Sequence, residues 1–153
     1  MSRVEKDFED FIKLLNQNDV EYMIVGAYAL TLYSRPRNTG DIDIYINDTG
    51  LNAVKVLQTL KDFGFEDIGI TTDDLTSKGK IVQLGVSPVR IDIMNDIDGI
   101  VFNEAYQKIT KINFGNTVAN FISLEDLIKN KRSSNRKKDQ ADLEELMNFY
   151  PDK

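Results

Sequence analysis

The chain has 153 residues and a formal net charge of −6, is 41% hydrophobic and 29% charged, and contains neither cysteine nor histidine. Those two absences exclude disulfides, thiolate and imidazole catalysis and cysteine-bound zinc or iron, leaving carboxylates, lysines, hydroxyls or a bound metal to carry any chemistry. The length suits one compact domain over residues 1–153, with a core to about 122 and closing helices over about 123–150; no apolar run is long enough for a membrane span and residues 1–6 hold no apolar signal core, so a cytoplasmic protein without membrane contact is expected.

Phe8, Phe11, Ile12 and Leu15 recur at helical spacing and predict an opening amphipathic helix of about four turns, ended by residues 16–19. Residues 21–25 form a short apolar strand that stops at Gly26, and residues 27–33 read as a short helix. A glycine between strand and helix lets a phosphate approach the backbone at a helix N-terminus, where amides and dipole favour an anion; an ordinary strand-to-helix turn explains the same glycine. Residues 34–40 are a loop by their proline, glycine and hydroxyl content. In Asp41–Ile46, acid or tyrosine alternates with isoleucine, so Ile42, Ile44 and Ile46 point into the core while Asp41, Asp43 and Tyr45 share the other face.

Leu51, Val54, Leu57 and Leu60 mark one face of a second long helix that ends near Gly64 and is expected to pack on the sheet. Ile81–Val86 and Val89–Met94 are β-rich runs joined tightly at Ser87-Pro88; Val89, Ile91 and Ile93 face one way, and Arg90, Asp92 and Met94 the other. Residues 95–99 read as a turn, 102–109 as a helix, and 112–114 and 118–122 as short strands. Residues 123–126 resemble a capping box opening the first of two closing helices, about 124–131 and 136–149, with 130–136 as a mobile connection. The fold class is α/β (α+β): a mixed sheet flanked by helices and finished by a helical pair.

Asp41 and Asp43 lie on one strand face about 7 Å apart at their Cα atoms, and Asp92 joins them if its strand is a neighbour. Each close carboxylate pair costs about 1 to 4 kcal/mol in repulsion, which a hard cation such as Mg²⁺ offsets while filling its shell with water and substrate phosphates. The alternative is a wet strand face with no role, but aspartate is a poor strand former and two in one strand after a glycine favour function. Asp96 and Asp98 are near in sequence and belong to the turn. Lys129, Lys131, Arg132, Arg136, Lys137 and Lys138 follow one another without an intervening acid, as an anion site or as solvated helix ends. The net charge opposes strong affinity for polyanions.

Residues 24–30 (Ile-Val-Gly-Ala-Tyr-Ala-Leu), then Arg37-Asn38-Thr39-Gly40-Asp41-Ile42-Asp43-Ile44, resemble the polymerase-β-like nucleotidyltransferase superfamily, most of all its small bacterial abortive-infection and toxin-antitoxin branch. Ile91-Asp92-Ile93 matches that family's third carboxylate strand, and Lys131, Arg136-Lys137-Lys138-Asp139 and Asp142-Leu143 match its C-terminal pattern. The resemblance implies transfer of a nucleoside monophosphate from a nucleoside triphosphate, with Asp41, Asp43 and Asp92 as catalytic residues and ligands of Mg²⁺ or Mn²⁺. It further implies nucleotide contacts at Gly26, Ala27, Arg37, Thr39, Lys131, Arg136 and Lys138; Arg37 reads equally as paired with an aspartate across the loop, and helical spacing favours Lys131, Arg136 and Lys138 as a solvated helix face with salt bridges to Asp139 and Asp142 over substrate contact. Ala27 departs from the family's Gly-Gly or Gly-Ser. The acceptor is left open among a protein, a transfer RNA and a small molecule. A non-catalytic module bound to a protein partner, in the manner of an antitoxin, is the other reading.

Overall fold

The computed structural model describes residues 5–36, 39–65, 68–86 and 89–153. Helix α1 (Lys6–Gln17) buries Phe8, Phe11, Ile12 and Leu15 completely, as their spacing requires, and is three turns long rather than four. Strand β1 (Tyr22–Val25) is buried at every position and runs into α2 (Gly26–Tyr33), while β2 (Asp41–Ile46) follows the loop. After α3 (Gly50–Phe63), a short α4 (Thr72–Thr76) is anchored by a capping box between Thr71 and Asp74, a signal that the sequence reading passed over. β3 (Ile81–Val86) and β4 (Val89–Met94) pair antiparallel from Val86↔Val89 outward; the connecting Ser87 and Pro88 lie outside the described residues. The rest is α5 (Phe102–Tyr106), β5 (Thr110–Phe114), β6 (Thr117–Phe121), α6 (Leu124–Arg132) and α7 (Lys137–Phe149).

The strands form one mixed sheet in the order β3-β4-β2-β1-β6-β5. β2 is parallel to β4 and antiparallel to β1, which is in turn parallel to β6. Ile42, Ile44 and Ile46 fill the core as alternation demands, but Tyr45 is buried too, its ring edge-on to Phe102 at 5.0 Å. The opposite face of β2 is therefore polar only at the end that carries Asp41 and Asp43. No described helix is long and apolar enough to cross a membrane.

Three local expectations are corrected. The buried stripe of α3 is Asn52, Ala53, Val56, Thr59 and Leu60, whereas Leu51 and Val54 are 70% and 58% exposed. Polar bonds set that rotation. The Asn52 side chain accepts the Glu21 N–H (2.8 Å) and donates to the Glu21 and Asn47 carbonyls (3.0 and 2.9 Å), while Asn18 donates to Thr59 (3.1 Å). Buried backbone groups need partners, and that requirement outweighs turning two more aliphatic side chains inward. At the start of α6, Ser123 accepts the Asp126 N–H (3.1 Å), but the Asp126 carboxylate pairs with Lys108 (3.2 Å) instead of closing a capping box. The link from α6 to α7 is pinned: buried Ser134 donates to Asp139 (2.6 Å) and accepts the Arg136 N–H (3.1 Å).

Asn52→Ala removes hydrogen bonds to three backbone groups, of which the Glu21 carbonyl keeps the Asn47 N–H, and is expected to destabilise the fold by about 2–3 kcal/mol. Urea unfolding read by circular dichroism checks this against Leu51→Ala on the exposed side of α3, which should cost well under about 1 kcal/mol.

Candidate active site

Adjacency of β2 and β4, on which the carboxylate constellation depends, holds in a definite register: Asp41 is paired with Arg90 and Asp43 with Asp92. Paired residues of neighbouring strands project to the same face, so all four side chains meet at the polar end of the sheet. Arg90 spans two of the acids. Its Nη2 donates to Asp41 Oδ2 (2.8 Å) and Asp92 Oδ2 (3.1 Å), and its Nε to Asp92 Oδ1 (3.1 Å). Sequence reading placed Arg90 on this face but gave it no role, because the partner strand of β4 was not known.

Asp43 stands apart. Among the described residues no hydrogen bond or ion pair reaches its carboxylate, and burial, then the charges of Asp92 and Asp41, push it up to about 6, against the pull of Lys138 and Arg90. The turn between β1 and α2 closes over it, since β1 pairs Val25 with Asp43. Gly26 has φ +67, in the left-handed region, and a Cβ there would lie 2.1 Å from Asp43 Oδ2. Two requirements thus meet in one glycine, beyond the bend or phosphate approach read from the sequence.

A cleft of about 270 Å³ opens here, lined by Gly26, Ala27, Thr39, Asp41 and Asp43 on the sheet side. Its other wall is α6 and α7, contributing Lys131, Arg136, Lys138, Asp139 and Asp142. Of the nucleotide contacts expected from sequence, Arg37 lies outside the described residues and the others all line the cleft. Their states differ. Lys131 is not on a solvated face: it is buried, with Nζ 2.9 Å from Asp139 and 3.3 Å from Asp142, because the pinned link folds α7 back over it. Arg136 Nε is 2.9 Å from Asp139 while most of its side chain is exposed. Against the upward push of burial, hydrogen bonds from Arg136, Ser134 and Lys131 hold the Asp139 carboxyl well below the usual range. Lys138 is exposed and makes no ion pair among the described residues. Asp96 is turned to Lys78 (3.9 Å) and does not line the cleft.

Among the described residues no group of three or more acidic side chains is arranged to hold a metal ion as it stands. The donor chemistry nevertheless suits a hard divalent cation: three carboxylates on adjacent strands present oxygens only, and the Arg90 guanidinium hydrogen-bonds Asp41 and Asp92 but not Asp43.

A family model described as nucleotidyl transferase of unknown function (DUF2204) matches residues 4–153. The solved structure of the lincosamide antibiotic adenylyltransferase LnuA, lincomycin-bound, has a similar fold, with a TM-score of 0.56 over 97% of this chain and 99% of that one at 16% identity. No curated protein matches the sequence.

Ionised Asp43 weakens the fold, because its carboxyl is raised from the ordinary 3.8 to about 6. The penalty is absent below the lower value, grows as pH rises between the two, and is complete above the upper one. Asp43→Asn should therefore stabilise the protein in EDTA by about 1–3 kcal/mol at pH 7.5 and leave it unchanged near pH 3.5, as measured by denaturant unfolding at both pH values. Gly26→Ala should cost about 1–3 kcal/mol through its φ and the contact with Asp43, and part of that cost should vanish in an Asp43→Ala background. A double-mutant cycle with purely additive losses would show that the two sites are not in contact.

Proposed function

The chain belongs to this nucleotidyl transferase family, and on that premise we propose that it moves a nucleoside monophosphate from a nucleoside triphosphate to an acceptor hydroxyl, releasing pyrophosphate. The observation that supports this most directly is the β2–β4 register, which sets Asp43 against Asp92 with Asp41 two positions along on the same face, beside the strand–glycine–helix turn at Gly26. Asp41, Asp43 and Asp92 are the proposed ligands of Mg²⁺, which supplies neutralising charge for the phosphate oxygens. The backbone of Gly26 and Ala27, at the N-terminus of α2, seats the phosphates. Ala27 still offers an amide there, although it lacks the hydroxyl or second glycine common at this place. Thr39 and Lys138 face the same cleft, and exposed Lys138 meets triphosphate charge without first breaking an ion pair.

In the reaction the acceptor oxygen attacks the α-phosphorus, the bond from that phosphorus to the pyrophosphate oxygen breaks, and the acceptor proton passes to Asp92. Holding the reactants in line accounts for most of the rate gain in such transfers, because the protein has little covalent chemistry to perform. Asp92 is suited to the proton step by position: it is buried and paired across the strands with Asp43, which lines the cleft. Its oxygens must first be released by Arg90.

Two features bear on the acceptor. Lys131 is neutralised by Asp139 and Asp142, and Arg136 is partly engaged by Asp139, which withdraws two of the six cations of the basic segment from a polyanion. With a net charge of −6 this favours a protein or small-molecule hydroxyl over transfer RNA. The solved lincosamide adenylyltransferase of similar fold makes small hydroxylated compounds a sensible first panel.

Calorimetry should show triphosphate binding that requires Mg²⁺ and falls at least about tenfold in Asp41→Asn with the fold retained. Incubation with each labelled triphosphate and a cell lysate, in Mg²⁺ or EDTA, should then label the acceptor in Mg²⁺ alone. Equal triphosphate binding by wild type and a folded Asp41→Asn, Asp43→Asn variant would falsify the assignment and leave the non-catalytic binding module.

A further inference from the structure

We propose that Arg90 is an internal counter-ion that holds the carboxylate cluster in a metal-free form, and that a divalent cation enters by exchange, displacing the guanidinium from Asp41 and Asp92. This rests on the reading of the three aspartates as a metal site.

The geometry is that of a competitor. Arg90 engages both oxygens of Asp92 and one of Asp41 at 2.8–3.1 Å, with the fork that a guanidinium presents to carboxylates. Those are oxygens that a hard cation needs. A divalent ion and a guanidinium on the same oxygens would stand only a few ångströms apart and repel, so each excludes the other.

Strand pairing does not need this side chain, because the backbone already joins the strands, including the Arg90 N–H to the Gly40 carbonyl (3.1 Å). Its side chain is 32% exposed and has a way out to solvent, whereas that of Asp92 is 9% exposed and cannot be left without a cation. Three carboxylates face one guanidinium, so the cluster keeps a net charge of −2 from these four groups (−3 + 1). Exchange for a divalent ion halves that excess to −1 (−3 + 2). Arg90 is accordingly a positioning residue: it keeps Asp41 and Asp92 oriented until the metal arrives.

The test is Mn²⁺ binding to the full chain, read from the resonance of free Mn²⁺, for wild type, Arg90→Gln and Arg90→Lys, with thermal unfolding in EDTA and in saturating Mn²⁺. Exchange predicts that both variants bind Mn²⁺ about tenfold or more tightly than wild type, because neither rebuilds the fork over two carboxylates. It also predicts that both melt below wild type in EDTA and that saturating Mn²⁺ closes the gap. A gain in Arg90→Gln with wild-type affinity in Arg90→Lys would reduce the effect to net charge and overturn the exchange. Unchanged or weaker Mn²⁺ binding in both variants, with wild type binding normally, would make Arg90 a structural brace while leaving the proposed reaction standing. Absence of Mn²⁺ binding by all three proteins would remove the metal reading and this proposal together.

Discussion

Like charges set side by side are the constraint around which this molecule is arranged. The parallel pairing of β2 with β4 brings Asp43 against Asp92 and keeps Asp41 two positions away on the same face, in surroundings that are half-buried or drier. At such spacing and burial the repulsion is worth kilocalories rather than tenths. Arg90 offsets the part that falls on Asp41 and Asp92, and Asp43 carries the remainder as a carboxyl that is hard to ionise. The turn from β1 into α2 brings the backbone of Gly26 against the Asp43 carboxylate.

The other wall of the cleft is built on the opposite principle, a closed ion network. Lys131, Arg136, Asp139 and Asp142 are bound to one another, with Ser134 completing the coordination of Asp139. Desolvating charges of both signs is costly unless each is paired, and here each is, so the network fixes the angle between α6 and α7 more than it adds stability. β6 runs parallel to β1 and delivers α6 through the Ser123 cap to the polar end of the sheet. One wall of the cleft thus gathers carboxylates, and the other sets a closed ion network beside exposed Lys138.

The core of the fold is readable in one dimension. Alternation in Asp41–Ile46, the spacing of Phe8, Phe11, Ile12 and Leu15, and the two runs flanking Ser87-Pro88 follow from the periodicities of strand and helix, which need no knowledge of partners. The same logic fails at α3. Its aliphatic spacing pointed to Leu51 and Val54, but hydrogen bonds from Asn52 to residues 21 and 47 turned the helix, and a count of hydrophobic positions cannot see a polar anchor across the chain.

The sequence by itself determined which side chains are available and which faces they take: Asp41 and Asp43 on one side of a strand, Asp92 beside Arg90 on alternating positions of another, and a glycine where a strand enters a helix. These follow from local geometry and from the resemblance of the motifs to one family. Only the tertiary structure decided that β4 lies parallel to β2, so that Arg90 bridges Asp41 and Asp92 and, among the described residues, leaves Asp43 without a hydrogen bond. It alone decided that Lys131 is sealed inside an ion network while Lys138 remains exposed. The reason is physical. A charge acquires its state from its neighbours in space, and register and helix packing, which choose those neighbours, are set by contacts between distant residues.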